Sequence, residues 1–94
     1  MPPIRVNVAR FNELSRFTRA FKKLEPDVQQ AVKDTFNNLK NNPELPGLNV
    51  EKLQGFPGVY SARVNRNYRL SFKMDGDTAI LRNVATHDKL YASP

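Results

Sequence analysis

The chain has 94 residues and a formal net charge of +6, values typical of one small basic domain. It contains no cysteine, which excludes disulfides, thiol catalysis and cysteine-ligated metals, and its single histidine excludes a histidine-rich metal site. We therefore expect neither a metal nor a cofactor. No apolar run approaches the ~20 residues of a membrane span, and Met1 to Arg10 shows no apolar signal-peptide core. These features predict a cytoplasmic protein with no membrane partner.

The first half of the chain predicts one strand followed by two helices. Apolar residues alternate with polar ones from Ile4 to Val8, which indicates a short strand. Apolar residues then recur at helical spacing from Phe11 to Leu24 and again from Val28 to Leu39. Pro26 can open the second helix, and Asn41-Asn42-Pro43 stops it. The two segments predict an antiparallel helical hairpin whose phenylalanine stripe packs on a sheet.

The second half of the chain changes to an alternation of period two. Strands are predicted at Val59–Val64, Tyr68–Lys73 and Thr78–Thr86, with turns at Asn65–Asn67 and at Asp75-Gly76. The whole chain, residues 1–94, then forms one α+β domain of order β-α-α-β-β-β. In it the N-terminal strand and the helical hairpin pack on one face of a mainly antiparallel sheet.

In the predicted strands Val59–Val64 and Tyr68–Lys73, successive side chains point to opposite faces of the sheet. The face that the helices cover takes the apolar set, which is Tyr60, Ala62, Leu70 and Phe72. Ser61 and Ser71 point to the opposite face. On that other, open face we expect three exposed cations, namely Arg63, Arg69 and Lys73. The last strand carries apolar residues on both faces. Alternation therefore does not predict the face to which His87, the next residue, belongs.

Basic residues are concentrated between Ser61 and Lys73, where Arg63, Arg66, Arg69 and Lys73 stand with no acid among them. The segment is either a strip that binds a polyanion or an ordinary solvated face. Arg63 and Arg69 lie on neighbouring predicted strands and can form a fork around a phosphate, because a guanidinium donates two parallel hydrogen bonds. Two independent solvated arginines are the alternative.

A few other side chains are candidates for chemistry. Histidine changes its charge near neutral pH, which suits His87 to proton transfer, and Asp88 either orients its ring or caps a turn. Tyr91 either stacks on a base or fills an apolar site at the chain end. Glu51 and Lys52 can reach an open sheet face, although a solvated pair is the simpler interpretation. Asp75 and Asp77 indicate a hairpin turn rather than a metal site, and no base stands at a recognisable spacing from a serine.

Several of these segments together resemble the RelE/ParE toxin superfamily. They are Pro46–Gly55 (PGLNVEKLQG), Val59–Val64 (VYSARV), Asn67–Leu70 (NYRL) and Val84–Tyr91 (VATHDKLY). The most specific parts are the spacing between Arg63 and Arg69 and the terminal His87-Asp88-x-x-Tyr91. The resemblance covers essentially the whole chain, since the helical hairpin and the strand order also match.

This resemblance implies a toxin of a type II toxin–antitoxin pair. The RelE-like branch cleaves mRNA in the ribosomal A site, whereas the ParE-like branch poisons DNA gyrase. By position, Arg69 matches the arginine that contacts the scissile phosphate, Arg63 a basic position on the preceding strand, and His87 the C-terminal catalytic histidine. Tyr91 matches a catalytic tyrosine of some members, and Tyr68 falls where one branch has tryptophan. Because the chain ends at Pro94, we expect no C-terminal helix of the kind that some members have.

The leading hypothesis is therefore a metal-independent endoribonuclease that cleaves mRNA, most simply on the ribosome. The 2′-hydroxyl of the substrate attacks the adjacent phosphate, with Arg69 and Arg63 stabilising charge, His87 transferring a proton and Tyr91 supporting it. The RNA-binding residues that we predict are Lys52, Arg66, Tyr68 and Lys73. The expected partners are a cognate antitoxin, mRNA and the ribosome, with DNA contacted only through an antitoxin complex. The alternatives are a ParE-like gyrase inhibitor without catalysis and an inert nucleic-acid-binding module of the same fold.

Overall fold

A computed structural model of the chain describes residues 4–94, so the expectation for Met1 to Arg10 lies partly outside them. The elements in chain order are β1 (Arg10–Glu13), α1 (Ser15–Lys22), α2 (Pro26–Asn41), a 3-10 turn (Pro46–Leu48), β2 (Glu51–Lys52), β3 (Val59–Arg63), β4 (Tyr68–Asp75), β5 (Thr78–Thr86) and α3 (His87–Ala92). The predicted α+β class, the helical hairpin and the three long strands are confirmed. In residues 4–94, no helix combines the length and apolar character needed to cross a bilayer.

The sheet has five strands in the order β1-β5-β4-β3-β2. β1 runs parallel to β5, and the other three pairs are antiparallel. A parallel pair needs a long connection, which here is everything between β1 and β5. This topology puts β4 at the centre, where Arg69 pairs with Arg63 of β3 on one side and with Ala85 of β5 on the other.

The hairpin of α1 and α2 buries its apolar stripe against one face of the sheet, as predicted. Phe17 and Leu70 are fully buried in this core. Phe11 of β1 stacks on Phe36 of α2 with ring centroids 4.8 Å apart. The buried residues of the core cluster are Val6, Val8, Phe17, Val32, Leu39, Leu48, Val50, Ala62, Leu70, Phe72, Ala79, Leu81 and Val84. Burial of this apolar surface is the main driving force for the fold.

The N-terminal boundaries differ from the prediction. Val6 and Val8 are buried as expected, but the paired strand begins only at Arg10, because alternation reports which side chains are buried and not where a ladder forms. The first helix begins at Ser15 rather than near Phe11. Phe11 reaches the core from the strand instead.

A β-bulge explains the mixed pattern of β5. Ser71 pairs with Asn83 while the next residue, Phe72, pairs with Leu81, so Arg82 is an extra residue in the ladder. The extra residue inverts the alternation after it. Leu81 and Val84 therefore share the core face although they are three positions apart.

The prediction of an open face carrying an exposed Arg69 is wrong. After β5 the chain forms α3, which packs on β4 and β5 and buries Leu90 completely. This short helix also contradicts the expectation that the chain has no room for one. Asn83 binds the carbonyl of Ser93 at 2.9 Å, and Arg16 of α1 binds the carbonyl and the hydroxyl of the same residue. Arg16 thus ties the C-terminal segment to the helical hairpin.

Candidate functional site

Arg69 is the buried charge at the centre of the second sheet face. It is only 5% exposed, and a buried charge is tolerated when hydrogen bonds compensate it. Its Nε and Nη2 both donate to Ser61 Oγ, at 3.2 and 2.9 Å. Nη2 also donates to the carbonyl of Asn49 at 2.6 Å. These bonds fix the plane of the guanidinium, and Nη1 takes part in none of them.

The phenol of Tyr91 lies beside this arginine. Its hydroxyl donates a 2.8 Å hydrogen bond to Glu51 Oε2, so α3 is joined to the edge strand β2. Burial raises the pKa of Tyr91, and the hydrogen bond to Glu51 raises it further, whereas the positive charge of Arg69 and a hydrogen bond with Ser61 lower it. The net shift is upward, which keeps the phenol protonated over the neutral pH range.

His87 begins α3, and its backbone N–H donates to the carbonyl of Asn67 at 3.1 Å. Its ring centroid lies 4.3 Å from that of Tyr91, with the planes tilted by 54°. Asp88 Oδ1 lies 3.5 Å from His87 Nδ1, but the Asp88 side chain is fully exposed and the imidazole is 57% exposed. An aspartate so solvated orients the ring only weakly.

Two cavities flank the pair of His87 and Tyr91. One, of about 290 Å³, is lined by Glu51, Lys52, Leu53, Gln54, Phe56 and Tyr91. The other, of about 420 Å³, is lined by Arg66, Asn67, Tyr68, Thr86, His87 and Asp88. Three of the predicted RNA-binding residues, Lys52, Arg66 and Tyr68, thus line cavities next to the predicted catalytic pair.

Two predicted residues have other surroundings. Arg63 is the cross-strand partner of Arg69, but its side chain is exposed, its Nε donates to the carbonyl of Asn65, and it lines a separate cavity against α2. The predicted phosphate fork of Arg63 and Arg69 is therefore not formed in this structure. Lys73 lies four residues along β4 from Arg69, about 13 Å away at the rise of a strand, and packs near Gly58.

Sequence reasoning missed the groups that hold Arg69. The sequence shows no base at a recognisable spacing from Ser61 and therefore predicts no role for it, yet its hydroxyl accepts two N–H bonds from the guanidinium. The carbonyl of Asn49 leaves no side-chain signature, although an asparagine with a φ of 42° is a left-handed residue and such residues favour turns that redirect a carbonyl. Phe56 also has no signal in the sequence that separates it from the core phenylalanines.

The cluster of Arg69, Glu51, Tyr91 and His87 combines a fixed cation, a carboxylate, a phenol and an imidazole. Such a set can neutralise a phosphate and move protons. Within residues 4–94, no three histidine, aspartate or glutamate side chains lie together in a way that can hold a metal ion.

Known proteins that are similar to this chain include toxins of toxin–antitoxin pairs. The toxin RelE3 of Methanocaldococcus jannaschii is 27% identical over 77 residues, which is 80% of this chain and 86% of that protein. The RelB–RelE antitoxin–toxin complex of Methanococcus jannaschii gives a TM-score of 0.67 at 21% identity, covering 88% of this chain and 99% of the matched chain. The Escherichia coli DinJ–YafQ toxin–antitoxin complex gives 0.72 at 19%, covering 94% and 99%.

No protein-family model matches the chain. The similarity to the solved structures is one of fold, and it extends over nearly the full length of each matched chain. The sequence likeness to RelE3 adds to it. The resemblance that the sequence predicts is thereby confirmed: the chain has the fold of RelE-like toxins and is similar in sequence to one of them.

Proposed function

We propose that this protein is the toxin of a type II toxin–antitoxin pair and that it cleaves mRNA as a metal-independent endoribonuclease. The observation that carries the proposal is the cluster around Arg69. The guanidinium is held by Ser61 and Asn49, and the phenol of Tyr91 is held by Glu51. The imidazole of His87 lies against that phenol.

The chemistry follows from what an RNA phosphate needs. The 2′-hydroxyl attacks the adjacent phosphorus, the bond to the 5′-oxygen breaks, and the products are a 2′,3′-cyclic phosphate and a 5′-hydroxyl. Arg69 neutralises charge that develops on the phosphate oxygens, and its fixed geometry avoids reorganisation during the reaction. His87 transfers a proton, and the protonated phenol of Tyr91 is available beside it.

The buried state of Arg69 adds a condition. The side chain is only 5% exposed. A phosphate can therefore contact the guanidinium only after Tyr91 or α3 moves aside. With a single histidine in the chain, the protein lacks the second imidazole of a self-sufficient two-histidine nuclease. Both features favour cleavage on the ribosome, where the substrate is held in place by another surface.

The RNA-binding surface that we propose surrounds the cluster. Lys52, Arg66 and Tyr68 line the two flanking cavities, and the exposed Lys73 and Arg63 extend the positive surface along the sheet. The net charge of +6 draws the chain towards a polyanion. The partner that restrains the toxin is a cognate antitoxin, as in the solved complexes of similar fold.

Expression in bacteria with and without the neighbouring reading frame tests the proposal. We expect growth arrest by the chain alone, and discrete breaks in mRNA by primer extension in a translating extract. His87→Gln and Arg69→Ala, at equal abundance, serve as the inactive controls. Arrest without RNA breaks, together with loss of gyrase supercoiling, would instead support the ParE-like alternative.

A further inference from the structure

The 290 Å³ cavity beside Tyr91 contains an aromatic side chain that the core does not use. Phe56 is 37% exposed, and it is the one aromatic among the large hydrophobic side chains exposed in residues 4–94. It lies between β2 and β3 in a loop closed by backbone bonds from Leu53 to Val59, from Phe56 to Leu53 and from Val59 to Phe56. An exposed ring on a loop so restrained loses little conformational freedom when it binds a ligand.

The other groups around this cavity match a nucleobase attached to a phosphate. Gln54 carries an amide that can both donate and accept, as the edge of a base requires. Lys52 adds a cation, and Tyr91 is shared between the cavity and the cluster around Arg69. The volume lies at the lower limit of ligand pockets, about 300 Å³, which suits one base rather than a larger ligand.

We propose that this cavity is a nucleobase subsite, in which Phe56 stacks on the base of a nucleotide next to the scissile phosphate and Gln54 reads its edge. The inference rests on the proposed function, because it takes the RNA phosphate to lie at Arg69. Phe56 and Gln54 then determine which base precedes or follows the cut. Stacking of one base on an aromatic ring corresponds to roughly 5- to 140-fold in affinity.

Binding of short single-stranded RNA to the full chain tests the subsite without relying on cleavage. The RNA carries a 2′-deoxy nucleotide at the cut, and in a matched series one abasic nucleotide moves along the strand. For the wild type we expect one abasic position to weaken binding by roughly 5- to 140-fold. Phe56→Ala and Phe56→Leu should remove that difference, whereas Phe56→Tyr should keep it. Leu45→Ala, which changes a similarly exposed side chain away from the cavity, should keep it too.

A second measurement separates the subsite from the proposed function. In a translating extract, Phe56→Ala and Gln54→Ala should relax the base preference at one position beside the cut while breaks still occur. Cleavage whose base preference is unchanged in both variants would overturn the subsite and leave the endoribonuclease standing. If binding depends on the abasic position but the chain never cleaves RNA, the subsite stands and the endoribonuclease is overturned. If Phe56→Ala weakens only the binding of the antitoxin, the ring belongs to a protein interface and the subsite is overturned.

Discussion

Tyr91 and Glu51 are separated by 40 positions in the sequence, yet the phenol donates a 2.8 Å hydrogen bond to the carboxylate. The bond joins α3 to β2, which is one of the two edge strands of the sheet. It closes the layer over Arg69, whose hydrogen bonds to Ser61 hold it on the same sheet face. Tyr91 therefore has two proposed roles: it supports proton transfer, and it limits access to the buried Arg69.

Removing the carboxylate should lower the pKa of Tyr91. Burial and Glu51 both raise this pKa above its ordinary value of 10.0, and Glu51→Ala removes the hydrogen-bond acceptor, the negative charge and part of the burial. Absorbance of tyrosinate during an alkaline titration, corrected with Tyr91→Phe, measures the change. Asp88→Ala is the control, because its exposed carboxylate makes no bond to the phenol. An unchanged or higher pKa in Glu51→Ala would contradict the assigned causes.

The same shift predicts a dependence of stability on pH. Because the folded state binds the Tyr91 proton more tightly than the unfolded state does, its contribution is fully present below pH 10 and is lost as pH rises through the folded pKa. The free energy of unfolding of the wild type should therefore fall more steeply with alkaline pH than that of Tyr91→Phe. Chemical denaturation at several pH values measures the two slopes, and equal slopes would refute the linkage.

Arg69→Ala should lower cleavage by about 10²- to 10³-fold, the usual cost of losing one donor to developing charge. The substitution should also reduce stability by about 1–3 kcal/mol, because it leaves the buried hydroxyl of Ser61 and the carbonyl of Asn49 without their donor. Arg63→Ala is the matched control: it removes the exposed cross-strand partner and should have the smaller effect on both. Primer extension at equal protein abundance decides the first point, and full activity of Arg69→Ala would eliminate the assigned role.

His87→Gln should lower cleavage by about 10²- to 10⁴-fold while binding to ribosomes stays intact, since general acid–base groups contribute to rate rather than affinity. The imidazole is 57% exposed, so the substitution should leave thermal stability nearly unchanged. Cosedimentation with ribosomes and single-turnover cleavage separate the two effects. Loss of ribosome binding at full folding would make His87 a contact residue instead.

Arg16 should control how often α3 opens. Arg16 lies on α1, and its guanidinium donates to Ser93 and to the backbone oxygen of Pro94. Among the described residues of α1, no other side chain makes a hydrogen bond to this C-terminal segment, so Arg16→Ala removes that link. Faster amide hydrogen exchange at Leu90 and Tyr91 is the expected result, with the core strands unaffected. Arg19→Ala, an exposed arginine of the same helix, should leave exchange unchanged. Equal exchange in both variants would show that the burial of Leu90 and the bonds of Tyr91 and Asn83 hold α3 without Arg16.

The parts of this structure that the sequence predicts are those set by local periodicity. Alternation placed Ala62, Leu70 and Phe72 correctly on the core face, and Pro26 marked the start of α2. The burial of Arg69 was not predictable in the same way, because it depends on α3 folding back over β4 and on a backbone carbonyl at Asn49. Likewise, one extra residue at Arg82 inverts the faces of β5, and a bulge of one residue leaves no mark in an apolar run.

Association with the antitoxin should be accelerated by charge. The exposed cations Lys52, Arg63, Arg66 and Lys73 make this part of the surface mainly positive, and the exposed Asp88 offsets them only in part. An acidic, flexible antitoxin segment that orders on binding would be steered by this surface and held by apolar contacts. Stopped-flow mixing at two ionic strengths should therefore show association slowing with salt more than dissociation quickens. The double variant Arg66→Gln, Lys73→Gln should weaken the salt dependence of association, and an association rate that ignores salt in the wild type would show that these cations do not steer the partner.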